Sequence, residues 1–226
     1  MTIMRILIIG AGGHGQVVAD ILFAMQANGE AITPVGFVDD FCSHTELMGL
    51  PVFGTTAVSH TIPHDAIIIA IGDNALRQQL YAEQAARGAT FFTACHPSAI
   101  IAPDVVVGQG CVISAGVIVN TGSTIGENVI LNTRCIIEHH NTIHSHSHIA
   151  PGVHLAGNVT VGKGALVGIG ACAIPNTVIG DHSIVGAGAV VINNVPAQTT
   201  AVGVPARVIR LNFPAEAAYR EQEIGD

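Results

Sequence analysis

The segment Ile136–His148 reads IIEHHNTIHSHSH and carries five of the chain's twelve histidines. Imidazoles at this density suit two kinds of chemistry. A neutral imidazole, with an ordinary pKa of about 6.5, serves as a general base near neutral pH. Alternate imidazoles on a strand share a face, so His144, His146 and His148 also have a spacing that zinc or nickel accepts. No Cys or carboxylate completes such a set, and the three positions spread over a corner of the repeat described below. His144, His146 and His154 are therefore read as polar outward residues, and no metal is expected.

A second chemical cluster is Gly10-Ala-Gly-Gly-His-Gly15, which satisfies the G-x-G-x-x-G spacing. It follows an apolar run and opens a helical pattern, so its backbone N–H groups are placed to cradle phosphate. Asp39 and Asp40 end the second strand, where a ribose-binding acid would stand. Taken alone this points to NAD. Against that, the front region is short, with three predicted parallel strands and no second mononucleotide half.

Two kinds of element must position these residues. In the first half, apolar runs at residues 5–9, 34–38 and 66–71 predict strands. Residues 16–27 (Val17, Val18, Ile21, Leu22, Met25) and 75–87 (Leu76, Leu80, Tyr81) have helical spacing. Strand–loop–helix alternation implies a short parallel sheet of Rossmann-like α/β type, with ligands at the carboxyl ends of the strands.

The second half obeys a period of six. Stepping from Ile101 to Val191 meets sixteen residues, of which fifteen are Ile, Leu or Val and one is Ala173. A mostly small residue follows each of them by four positions. This is the pattern of a parallel β-helix, with the aliphatic pointing inward and the small residue at the inner corner. Three hexads make a coil of eighteen residues, hence about five coils. Cys111 and Cys135 fall on the inner corner and read as buried small hydrophobes. The glycines after the aliphatic position (Gly108, Gly126, Gly162, Gly168, Gly180, Gly186) are expected to supply an unusual turn φ. The predicted organisation is 1–95 for the α/β domain, 96–210 for the β-helix, and a polar tail, 211–226, with no assigned role.

Composition narrows the function further. Charged residues are 11 %, aromatics 4 %, and Gly numbers 26 in 226 residues. A net charge of -8 argues against nucleic acid as a partner, though not against a small anion bound by backbone N–H groups. Five cysteines without a CxxC pair suggest reduced thiols and a cytoplasmic setting. The opening MTIMRILIIG is too short for a membrane span and reads as a first strand.

Spacing links two residues of the second half. Gly157 follows His139 by eighteen, one coil, so it should lie about 4.8 Å along the axis. Its bare N–H is a candidate oxyanion donor, worth about 3 kcal/mol in such a role. His148 follows His139 by nine, half a coil, so the two should not meet within one subunit.

The stretches ILIIGAGGHGQVVADIL, GFVDD, AIGDN, HPSAII and IEHHNTIHSHSHIAPGVHLAGNV, with GVPAR as terminator, carry a resemblance. The chain resembles the bacterial hexapeptide-repeat sugar acetyltransferases that join a Rossmann-like N-terminal domain to a left-handed β-helix. These include N-acetyltransferases of nucleotide-linked 4-amino-4,6-dideoxy sugars (bacillosamine, perosamine and viosamine types) and sialic acid O-acetyltransferases. The resemblance implies a homotrimer with acetyl-CoA between neighbouring subunits. It implies His139 as the catalytic base, Gly157 and His148 at the thioester end of acetyl-CoA, and further contacts at Asn132, Ile169 and Ala187. It gives the loop of Gly12, Gly13 and His14 to a sugar diphosphate, and Asp39, Asp40, Gly72, Asp73 and Asn74 to base and sugar.

The expected activity is acetyl-CoA-dependent N-acetylation of the 4-amino group of a nucleotide-activated amino-deoxy sugar, of the UDP-4-amino-4,6-dideoxy-N-acetylglucosamine type. The alternatives are sugar O-acetylation and, from another class, a non-catalytic metal-binding β-helix. One position departs from the pattern. The family commonly has Glu or Asp directly after the base, and here that residue is His140. Glu138, in an extended strand, should point away from His139.

Overall fold

A computed structural model describes residues 2–212 of the chain. The N-terminal domain is β1 (Met4–Ile9), α1 (Gly13–Ala27), β2 (Ile32–Val38), β3 (Ala66–Ile69) and α2 (Asn74–Ala86), with a short hairpin of Glu46–Leu47 and Leu50–Pro51 after β2. The sheet is parallel in the order β2-β1-β3. Its centre is Ile6–Ile9, fully buried because helices or loops cover both faces, as a parallel sheet requires. The first helix begins three residues earlier than its periodicity indicates, so Gly13, His14 and Gly15 form its first turn. Gly15 is glycine for contact: an added Cβ would stand 2.1 Å from the Gly10 carbonyl oxygen.

Two residues of the predicted apolar stripes face outward. Val17 and Leu76 are each 42 % exposed. The buried face of α2 is instead Arg77, Leu80, Tyr81 and Gln84, and its N-terminus is capped by Asp73, which accepts from Leu76 N–H at 2.8 Å.

From Ala94 onward the chain is a β-helix of two-residue strands. Each strand pairs in parallel with the strand eighteen residues on, as Ile118 does with Ile136 and Ile136 with His154. Three faces result. The first runs through residues 100, 118, 136, 154, 172 and 190, the second through 106, 124, 142, 160 and 178. The third starts at Ala94–Cys95, runs through 112, 130, 148, 166 and 184, and ends in Thr199–Val202, which pairs antiparallel with Arg207–Leu211. The sixteen hexads fill six strands of the first face and five of the second, and Ala94–Cys95 and Thr199–Val202 lengthen the third beyond the five coils expected. The tail given no role lies, from residue 213, outside the described residues.

The every-sixth aliphatics and the inner-corner residues form one continuous core, with Cys111 and Cys135 fully buried within it. Burial pushes both thiols up to about 12. The role expected for the glycines needs correction. The left-handed turn residue comes three positions after the inward aliphatic: Gly152 (φ 67°), Asn158 (58°), His140 (58°) and His146 (64°) are examples. Gly108, Gly126, Gly162, Gly168 and Gly180, directly after the aliphatic, have ordinary φ. They are glycines because a Cβ there would sit 2.4 to 2.7 Å from backbone of the next coil.

The N-terminal domain sits on the third face. Val112 and Ile130, outward on that face, are buried in one cluster with Val18, Ile21 and Leu22 of α1. Arg77 then pins α2 to the coils. It is only 1 % exposed, and its guanidinium donates to the carbonyls of Ile71, Asn128 and His146 and to Asn74 Oδ1 at 2.8 to 3.3 Å. Asn74 Nδ2 in turn donates to the carbonyls of Gly164 and Ala165. Burial lowers the Arg77 pKa to about 10, so it stays cationic at neutral pH.

Candidate active site

His139 stands at the corner between the first and second faces, two residues after the inward Ile137. Directly above it is Gly157, as the eighteen-residue spacing requires. A Cβ on Gly157 would lie 2.5 Å from His139 Cε1 and 2.6 Å from Nε2, so the imidazole edge occupies the space that glycine leaves open. Among the described residues the Gly157 N–H has no hydrogen-bond partner; its carbonyl accepts from Asn176 at 3.1 Å. The exposed His139 imidazole thus covers the buried backbone of Gly157, whose N–H is left without a partner among the described residues. That combination suits proton removal from a nucleophile and stabilisation of an oxyanion.

The corner is held by Asn141, a residue that the hexad pattern counts merely as an inner-corner position. It is fully buried. Its Nδ2 donates to the carbonyls of Glu138 and Ala156, and its Oδ1 accepts from Val159 N–H at 3.0 Å. These bonds fix the coil of His139 to the coil of Gly157. His139 Nδ1 lies 3.0 Å from His140 Nδ1, with the rings at 80°. Glu138 is bonded elsewhere: its carboxylate accepts from Asn120 at 2.9 Å.

The remaining candidates divide into two groups. Asn132, Ile169 and Ala187 lie at the corner between the third and first faces, a different edge from His139. Asn132 Nδ2 donates to His148 Nε2 at 3.1 Å. His148 lies on the third face itself, partly buried beside the Gly72 backbone. Its pKa is lowered to about 4, by burial first and then by Arg77 and His14. Within one chain the structure therefore does not bring Asn132, His148, Ile169 or Ala187 to His139 and Gly157.

The second group belongs to the N-terminal domain. Gly12 caps α1 without a side chain, leaving first-turn N–H groups at the loop. His14 has Nε2 buried with no hydrogen-bond partner among the described residues, and burial and then Arg77 lower its pKa to about 4. The two aspartates brace loops. Asp39 accepts from Ala11 N–H at 2.7 Å and from Phe41 and Cys42, and Asp40 accepts from Thr56. Asp73 and Asn74 line a cleft of about 850 Å³ with Gln78 on one side and Gly164, Leu166 and His182 on the other. The cleft opens on the third face and does not include His139.

His146 is not an outward residue. It is 9 % exposed, bonded to Asn128 Nδ2 at 2.9 Å and edge-on to Tyr81 at 5.4 Å. Burial, then Lys163, lowers its pKa to about 4. His144 and His154 are exposed. Among the described residues no group of three or more His, Cys, Asp or Glu is arranged to hold a metal. Nor is any helix there long and apolar enough to cross a membrane.

Sequence reasoning missed Arg77 and Asn141, and the signals for each differ. Arg77 hides in a helix whose mean composition is polar. Asn141 is visible as an amide among the aliphatic, thiol and hydroxyl side chains that fill the other inner corners.

With this geometry in view, four likenesses are informative. Residues 5–84 match the PglD N-terminal domain. The UDP-N-acetylbacillosamine N-acetyltransferase of Bacillus subtilis (strain 168) is 40 % identical over 107 residues, which are 47 % of this chain and 49 % of that protein. The match thus spans about half the length of that curated relative. The acetyltransferase domain of PglB from Neisseria gonorrhoeae FA1090, solved in complex with acetyl coenzyme A, superposes with TM-score 0.85 at 35 % identity, covering 92 % of this chain and 100 % of that one. PerB from Caulobacter crescentus, solved in complex with CoA and GDP-perosamine, superposes with TM-score 0.84 at 37 % identity, covering 91 % and 97 %. Two architectures joined in one order, and shared over nine-tenths of the chain with such proteins, show that it belongs to the family of bacterial sugar acetyltransferases with a PglD-type N-terminal domain and a β-helix.

Proposed function

We propose that the protein is an acetyl-CoA-dependent N-acetyltransferase that acetylates the 4-amino group of a nucleotide-activated amino-deoxy sugar. The observation that carries this reading is the His139 imidazole lying over the bare backbone of Gly157. The sugar amine attacks the thioester carbon and its proton passes to His139 Nε2; the tetrahedral centre then collapses, the C–S bond breaks, and the CoA sulfur leaves with that electron pair and takes the proton to become the free thiol. Gly157 N–H stabilises the oxygen that becomes negative as the tetrahedral centre forms.

The N-cap and first turn of α1 (Gly12, Gly13, His14) bind the diphosphate, and Asp39, Asp40 and Gly72–Asn74 face the base and sugar. Free N–H groups at a helix start and the orphaned His14 Nε2 support an anionic ligand there. Asn132, His148, Ile169 and Ala187 receive acetyl-CoA. Their separation from His139 supports a site shared between subunits, as in the homotrimer that the resemblance implies, with one subunit's His139 edge facing a neighbour's third face. We place the enzyme in the cytoplasm, in glycan or surface polysaccharide biosynthesis.

The test is a screen of nucleotide amino sugars, with sugars bearing only hydroxyl acceptors as controls. Acetyl-CoA is the donor, and the readout is thiol release and the mass gain of one acetyl group. An amino sugar is expected to gain the acetyl group, with His139→Ala slowing turnover at least ~100-fold. Acetylation of hydroxyl acceptors alone, or full turnover by His139→Ala, would overturn the reading.

A further inference from the structure

The residue that follows His139 is an imidazole rather than a carboxylate, and the corner shows what stands behind it. His140 adopts φ 58°, which turns its ring down the stack of corners. The ring lies over Gly122, one coil below: a Cβ on Gly122 would be 2.8 Å from His140 Cδ2 and 3.0 Å from Nε2. The Gly122 N–H donates to Asp104 Oδ2 at 2.8 Å, and Thr121 Oγ1 donates to the same oxygen at 2.7 Å. Asp104, two coils below His140, and the His140 Nε2 edge therefore flank the same glycine.

The corner residues 102–105, 120–123, 138–141, 156–159 and 174–177 contain four titratable side chains, Asp104, Glu138, His139 and His140. Glu138 is held by Asn120, which leaves Asp104 as the carboxylate on the His140 side. Asp104 is held below the usual carboxylate range, chiefly by the Thr121 hydroxyl, then by Gly122 N–H, and also by the charge of His140. It is anionic at neutral pH.

Only one order of protons satisfies this arrangement and leaves a base. His139 must keep a lone pair on Nε2, so its proton sits on Nδ1. That N–H then donates to His140 Nδ1, 3.0 Å away. His140 consequently carries its own proton on Nε2, the nitrogen on the Asp104 side. We propose that Asp104 and His140 are positioning residues for His139: the Asp104 carboxylate, which makes no direct bond to His140, favours the His140 Nε2–H tautomer through its charge across the Gly122 turn, and His140 accepts the Nδ1–H of His139 and relays the carboxylate's support to it. This rests on His139 being the base. It names what serves here in place of an acid directly after it.

The sign of the effect follows from charge. An anion behind the imidazole pair favours the imidazolium that forms as the base takes its proton, and its removal disfavours that form. Asp104→Asn is expected to reduce kcat about 10-fold and to move the acid limb of the kcat/KM profile to lower pH, with KM for acetyl-CoA within about twofold of wild type. His140→Phe is expected to reduce kcat further. His140→Glu places a carboxylate directly against His139; in that background Asp104→Asn is expected to cost less than about twofold.

An Asp104→Asn loss of equal size in both backgrounds, or an unmoved acid limb, would show that Asp104 only braces the Gly122 turn. Imidazole ¹⁵N NMR of the free protein tests the proton order without any turnover: His139 is expected as the Nδ1–H tautomer and His140 as the Nε2–H tautomer. The reverse tautomers overturn the inference. The expected tautomers in a protein that acetylates no amino sugar would support the proton order and tell against the assigned reaction.

Discussion

Gly157 shows how much one residue can carry by lacking a side chain. Its missing Cβ is where the His139 edge stands, and its N–H has no hydrogen-bond partner among the described residues. Gly157→Ala is expected to push the imidazole off this position. Since Gly157 is not in the left-handed region, the backbone accepts alanine. Turnover should therefore fall about 100-fold while the melting temperature moves by only a few degrees. Steady-state kinetics beside a thermal melt check this; retained turnover would remove Gly157 from the site. Both residues of this pair are legible in the sequence, because a step of eighteen connects them. The same step taken downward from His140 reaches Gly122 and then Asp104. The arithmetic was available. What it does not say is which way a side chain on a left-handed residue turns.

At the scale of the element, the hexad dictates the coil because two physical demands repeat in register. An aliphatic must fill the prism, and a residue three positions later must take positive φ. The glycines that the pattern displays answer a third demand, close coil contact. The two kinds of glycine predict opposite outcomes. Gly152 has φ 67° and open space around it, and Asn158 and Asn176 already hold the equivalent place at 58° and 62°. Gly152→Asn should cost less than about 0.5 kcal/mol, since Asn tolerates this conformation. Gly162→Ala puts a Cβ 2.5 Å from Asp181 N and should cost about 1–3 kcal/mol. Urea unfolding separates them, and equal costs would mean that φ rather than contact governs both. The hexad alone could not make this distinction, because it records residue type and not distance to the neighbouring coil.

The whole molecule is decided at the seam between the two domains. His14, His146 and His148 cluster there around Arg77, and burial lowers each to about 4 from an ordinary 6.5. A lowered pKa on a base means that the folded protein resists protonation where the unfolded chain accepts it. Their contribution to stability is therefore complete above pH 6.5 and is lost as pH falls from about 6.5 to about 4. Carboxylates such as Asp65, held at about 2 by Arg5, lose theirs only below about 3.8. Melting temperature is expected to fall across the histidine window, and His146→Gln should flatten that slope. Calorimetry from pH 7 to pH 4.5 measures it, and a flat wild-type profile would refute the assignment. In the sequence His146 looks like its exposed neighbour His144. Only the docking of α2 buries one and not the other.

The sequence by itself determined the coil, the three-stranded sheet, the buried cysteines and the pairing of His139 with Gly157. Each follows from a local period or a short motif, and a repeat carries its geometry from coil to coil. The tertiary structure decided which face the N-terminal domain covers, that Arg77 and Asn74 lock it there, and that the two ends of the candidate site lie on different edges of one prism. Those depend on contacts between segments some seventy or ninety residues apart, such as Arg77 with His146 and Asn74 with Gly164. No period links such segments, so nothing along the chain marks them.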